Sequence, residues 1–172
     1  MKRILFAALT AAALFSDGIL QSLNAQNMEI PKKFSPFPVG DKLPEQFSKY
    51  FIGQAWLAPL TDDKRLNAPV SNVTFSPGCR NNWHIHHAKS GGGQILVCVA
   101  GRGYYQEWGK PAQELHTGDV VNIPTGVKHW HGAAPDSWFS HLAVEVPGDE
   151  TSNEWLEAVD NTVYFKATGK EV

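Results

Sequence analysis

Cysteine is scarce in this chain: Cys79 and Cys98 are the only two among 172 residues. They lack the CxxC spacing of a zinc or redox site, and two residues are too few for a disulfide framework. An excess of one charge sign is missing as well. A formal net charge of −2, from 15 basic and 17 acidic residues, gives no long-range attraction to nucleic acid or to an anionic membrane surface, and neither is expected as a partner. Nor is there an uninterrupted apolar run of the roughly 20 residues that a membrane-spanning helix needs. The run over residues 4–15 falls well short. It follows Lys2 and Arg3 and leads into small and polar residues up to Ala25, the pattern of a secretory signal peptide; an amphipathic helix packed on the domain is the alternative. The expected organisation is a leader over residues 1–25, an extended arm over 26–49 and a single domain over 50–172, in a protein exported to the periplasm. Export would permit a bond between the two cysteines, although nothing in the sequence fixes their separation.

Helical periodicity is also sparse. Pro31, Pro36, Pro38 and Pro44 keep the segment from Asn27 to Glu45 from holding a helix. Beyond it come short runs rich in β-branched and aromatic residues, at 50–57, 70–75, 82–86, 94–99, 103–107, 120–123, 129–132 and 138–146. Turn signals such as Ser76-Pro77-Gly78, Gly101-Arg102-Gly103 and Pro124-Thr125-Gly126 separate them. Strands at this spacing predict an all-β domain, a sandwich or barrel of the jelly-roll type. One short C-terminal helix is expected: Thr151 with Glu154 three residues later makes a capping box, and Trp155, Leu156 and Val159 supply an apolar face.

Histidine is the residue in surplus, with seven in the chain. Within Trp83-His84-Ile85-His86-His87, strand alternation points His84 and His86 to one side and Ile85 to the other. His129-Trp130-His131 repeats the arrangement. Two such pairs in one barrel suit a site for manganese, iron, nickel, copper or zinc. Gln94 shares its strand face with Leu96 and Cys98, which offers an amide oxygen as a further ligand. His141 begins a face shared with Ala143 and Glu145, so His141 and His131 are the candidates for proton transfer; a buried imidazole bonded to the backbone is the plainer reading of His131. His87, on the opposite parity, and His116, before Gly118, are expected in solvent. Trp83, Trp108, Trp130 and Trp138 lie close to these motifs and suit an aromatic-lined cavity, though core packing accounts for them equally. Arg80 and Lys89 are the nearest cations for a substrate clamp.

The spacing resembles the cupin superfamily. Gly78, His84 and His86, then Gln94 and Gly101, follow its first motif; Gly118, Pro124, Gly126 and His129 follow its second. Three departures stand out: Gln94 replaces the usual Glu, residues 88–93 lengthen the gap before it, and Ala133 stands where Asn often does. The run from His129 to Pro135 and the run from Ser140 to Val144 are similar to small bacterial single-domain cupins of the manganese-dependent hydroxynitrile lyase kind. They are similar also to cupin domains associated with carboxymuconolactone decarboxylase-like proteins. The resemblance implies a divalent transition metal held by His84, His86, Gln94 and His129, with manganese first and iron, zinc or nickel as alternatives. It implies His141 facing the metal pocket, a small-molecule substrate, and lyase chemistry on a carbonyl or hydroxy compound. An iron-dependent dioxygenase, a noncatalytic sensing module and a partner of a decarboxylase-like protein remain alternatives. A homodimer is expected, with the aromatic edge from Tyr50 to Trp56 as its contact.

Overall fold

The computed structural model describes residues 29–61 and 68–169. The expected leader over 1–25 lies outside the described residues. The segment from 29 to 40 is irregular, as its prolines require, and leads into β1 (Asp41–Lys42) and a single turn, α1 (Glu45–Ser48). Next come β2 (Phe51–Ile52), β3 (Ala55–Pro59), β4 (Val70–Phe75), β5 (Arg80–Asn81), β6 (His84–His87), β7 (Ser90–Gly91) and β8 (Gln94–Glu107). The chain continues through β9 (Gln113–His116), β10 (Val120–Ile123), β11 (His129–Ala133), β12 (Phe139–Glu145), β13 (Gly148–Asp149) and β14 (Ser152–Trp155), and ends in α2 (Asn161–Thr168). Every pairing is antiparallel. The result is the jelly-roll architecture that the strand spacing predicts.

The 14-residue strand β8 organises the barrel. Its first half pairs with β10 and β12, and its second half, from Gly103 to Glu107, pairs with β11. The sequence suggests a turn at Gly101-Arg102-Gly103; instead the strand bends there and passes from one face of the barrel to the other. Gly101 has φ +71°, and a Cβ on it would overlap the carbonyl oxygen of Trp138. Such a corner needs glycine. A second correction concerns the run at 50–57, which Gly53 (φ +94°) breaks into β2 and β3.

The third correction is the position of the helix. Residues 152–155 form β14, paired with β6 so that Asn153 lies opposite His86 and Trp155 opposite His84. Glu154 reaches His87 at 2.7 Å rather than capping a helix. The helix starts at Asn161. Asp160 caps it, its Oδ1 accepting from the Val163 amide at 2.9 Å, and Gly169 closes it at φ +68°.

Two cores result. The barrel interior packs Phe75, Leu96, Cys98, Leu115, Ile123 and Phe139. Outside β11, helix α2 and the residues leading into it lay Tyr164 and Val159 over Trp130 and Trp83. Strand β11 is therefore buried on both faces, with Trp130 pointing toward the helix and its histidines toward the barrel. Among the described residues no helix is long and apolar enough to cross a membrane.

Candidate metal centre

Strands β6 and β11 lie side by side with His84 opposite His129. This register joins the first His-x-His pair to the second. Ligand atoms of His84, His86 and His129 all fall within 4.8 Å of one another, and the His84 and His129 ring centroids are 4.1 Å apart. All three residues are buried.

The tautomers follow from the hydrogen bonds. Nδ1 of His84 donates to the carbonyl of Asn82 at 3.0 Å, and Nδ1 of His129 donates to that of Val127 at 2.9 Å. Each neutral ring then keeps a lone pair on Nε2. Burial, reinforced by His129 nearby, pushes His84 well below the usual imidazole range, and burial brings His129 down to about 4. Neutral rings with free Nε2 atoms are the form that binds an ion. Nε2 of His86, Nε2 of His129 and Oε1 of Gln94 are buried with no hydrogen-bond partner. Buried polar atoms in that condition are rare, and a cation among them satisfies all three. The donor set fits a divalent transition metal.

Gln94 opens β8, in register with Ile123 on one side and Glu145 on the other. The lengthened gap before it does not free it. Ser90 and Gly91 fold back onto β13 as a separate two-stranded ladder. The Nε2 of Gln94 donates to Oε1 of Glu145 at 2.8 Å. Oε2 of Glu145 stands 3.2 Å from Nδ1 of His86, close but without hydrogen-bond alignment. Burial raises the Glu145 carboxyl, but His86 and Gln94 outweigh it and hold the group below the usual carboxylate range. A site of three imidazoles and one amide is thus not electrostatically bare, because a carboxylate touches it.

His131 and His141 form a second pair inside the barrel. The Asn81 carboxamide accepts the His131 backbone N–H on Oδ1 at 2.9 Å, which turns its Nδ2 toward Nε2 of the same ring at 3.0 Å. His131 accordingly carries its proton on Nδ1 and donates to Nε2 of His141 at 3.2 Å. Burial lowers both rings, His131 well below the usual range and His141 to about 4. Both line a cavity of about 150 Å³ together with His84, His86 and Gln94. Its apolar wall is Phe51, Phe75, Val73, Leu57 and Trp155.

That wall differs from the expected one. Trp83, Trp108, Trp130 and Trp138 stay outside the cavity, since they point away from the barrel interior: Trp130 and Trp83 lie under α2, Trp108 is exposed, and Trp138 packs on Trp56. Arg80 is not a substrate clamp. It is committed to the carbonyls of Val159 and Gly78, to Asn161 and to the Tyr164 ring, and it anchors α2. Lys89 pairs with Glu150 in solvent. Cys79 and Cys98 are both free and buried in the core, and burial pushes the Cys98 thiol up to about 12. His87 and His116 are exposed, as their positions suggest. Sequence reasoning gave no role to Asn81 or Glu145. For Glu145 a signal existed, because it is the acidic residue on the strand face of His141; for Asn81 there was none.

The cupin domain profile matches residues 71–144. A curated (R)-mandelonitrile lyase from Granulicella tundricola is 41% identical over 117 residues, which cover 67% of this chain and 86% of that protein. Among solved structures, a cupin-like protein from Thermotoga maritima is 41% identical with a TM-score of 0.68, over 79% of this chain and 98% of that one. A cupin-2 domain protein from Rhodospirillum rubrum, 17% identical, covers 77% of this chain and 93% of its own at a TM-score of 0.59, a likeness of fold alone. Matching sequence, barrel and histidine cluster together, this chain belongs to the cupin family.

Proposed function

We propose that this cupin is a metal-dependent lyase that cleaves or forms small cyanohydrins carrying an apolar group. One observation carries the reading: a single cavity brings His84 and His86 of the three-histidine cluster, the His131 and His141 pair and an aromatic wall together. The lyase relative at 41% identity supports it. His84, His86, His129 and Gln94 would hold the ion, with manganese as the first choice; when bound, it supplies Lewis acidity toward a substrate oxygen.

The chain's own groups account for the remaining chemistry. Phe51, Phe75 and Trp155 hold the apolar part of the substrate and exclude water. His141 is neutral at working pH because burial lowers it to about 4, so it can accept the hydroxyl proton of a cyanohydrin. To do so, the Nε2 lone pair of His141 would exchange the hydrogen bond it accepts from Nδ1 of His131, 3.2 Å away, for the substrate hydroxyl. Loss of the proton lets the bond to the nitrile carbon break, the aldehyde leaves, and cyanide departs with the proton as hydrogen cyanide. Synthesis runs the same steps backward. The leader-like N-terminus supports export to the periplasm. Phe47 and Ile52, exposed beside the aromatic edge, support a homodimer; light scattering on the purified protein checks the latter.

The test is mandelonitrile cleavage by purified protein with and without chelator. The reading expects turnover that chelation abolishes and added Mn2+ restores. Turnover indifferent to chelation, or oxygen consumption with Fe2+ and no cleavage, overturns it.

A further inference from the structure

We infer that Glu145 is the positioning residue of the metal centre, a single carboxylate that orients two of its four ligands, Gln94 and His86. The inference rests on the proposed ligand role of Gln94. The three cluster histidines are not oriented alike. His84 and His129 each donate Nδ1 to the carbonyl two residues earlier. His86 sits inside β6, whose main chain is committed to the ladder with β14, and has no such bond. What stands beside its Nδ1 is Oε2 of Glu145, at 3.2 Å. A ring that must present Nε2 to an ion carries its proton on Nδ1, and a carboxylate there stabilises that tautomer.

The other oxygen acts on Gln94. A carboxamide has one donor end and one acceptor end. Because Nε2 of Gln94 donates to Oε1 of Glu145 at 2.8 Å, its own Oε1 is turned away, where it lies buried and unpartnered. Without an acceptor at Glu145, nothing on this side would choose between the two amide orientations, and one of them presents NH2 to a cation. The carboxylate is itself held in place. Glu145 ends β12 opposite Gln94, and its amide donates to the Pro69 carbonyl at 3.0 Å. It also separates the inner cavity from an outer one of about 310 Å³ that opens beside His87, Pro147 and Gly148.

The experiment is ion binding by the metal-stripped full chain without substrate. Mn2+ affinity is read by competition with a chelator, and the donor set by the visible spectrum of the Co2+ form. E145A should weaken Mn2+ binding about 10- to 100-fold and alter the Co2+ spectrum, while the melting temperature of the stripped protein stays near that of the wild type. E145Q, whose single carbonyl oxygen still accepts from Gln94 but whose NH2 then faces Nδ1 of His86, should recover only part of the affinity. E145D keeps the charge but withdraws it by one methylene, and should bind as weakly as E145A. E145A with wild-type affinity and spectrum overturns the inference. So does E145D binding better than E145Q, since Glu145 would then act by charge or as a ligand, and if E145A fails to fold this comparison alone decides. Neither result depends on turnover: wild-type protein that binds Mn2+ but cleaves no cyanohydrin sinks the lyase reading and leaves the Glu145 comparison intact.

Discussion

Leaving a buried polar atom without a partner costs about 1–3 kcal/mol, and the barrel interior contains several such atoms on His86, His129, Gln94 and His141. Their cost is the residue-scale argument that these groups serve a ligand and not the fold. Replacing His141 with Ala should lower cyanohydrin turnover by about 10²- to 10⁴-fold while ion content stays at the wild-type level; unchanged turnover would remove His141 from the mechanism. Acid should expose the same groups. His129 and His141 are held at about 4 when folded, against 6.5 for an ordinary imidazole. Between those values the unfolded chain binds protons that the folded chain refuses. Stability present at pH 7 is therefore lost as pH falls from about 6.5 toward 4, with a slope of up to about 1.4 kcal/mol per pH unit for each histidine. Denaturant unfolding of metal-stripped protein from about pH 7 to about pH 5 checks this, and a midpoint constant over that range would contradict it.

At the scale of elements, period-two alternation located most of the strands, because a strand with one face in the barrel must alternate. It put His84, His86 and His129 on the correct face from parity alone. What it could not see was whether a glycine ends a strand or bends it. Gly101 does the latter, since its neighbour across the corner is the Trp138 carbonyl, a contact more than thirty residues away in sequence. Gly101→Ala should cost about 1–3 kcal/mol from backbone strain alone plus the overlap, read as a lowered denaturation midpoint; a wild-type midpoint would contradict the corner. The capping-box pattern at Thr151 failed for a similar reason. A four-residue pattern weighs little against a free strand edge, and β6 offered one to residues 152–155. The true cap is Asp160, so Asp160→Ala should destabilise the protein by about 1 kcal/mol, whereas Thr151→Ala should leave the melting temperature unchanged.

For the whole molecule, the jelly roll was legible because strand spacing and motif spacing agreed, and the three histidines were legible because both pairs obey strand parity and the motif spacing picks His129 rather than His131. Glu145, Asn81 and the aromatic wall were not. Glu145 meets Gln94 and His86 only through the pairing of β12 with β8, and the tryptophans near the motifs turned outward while Phe51, Phe75 and Trp155 came inward from distant strands. The central claim is that the barrel is built around one ion held by His84, His86 and His129. The most direct test is elemental analysis of protein purified without added metal, wild type beside the His84→Ala, His129→Ala double variant. The account predicts close to one transition-metal ion per wild-type chain and essentially none in the variant. A folded wild-type protein free of transition metal that takes up none on addition, or a variant that retains its ion, would contradict it.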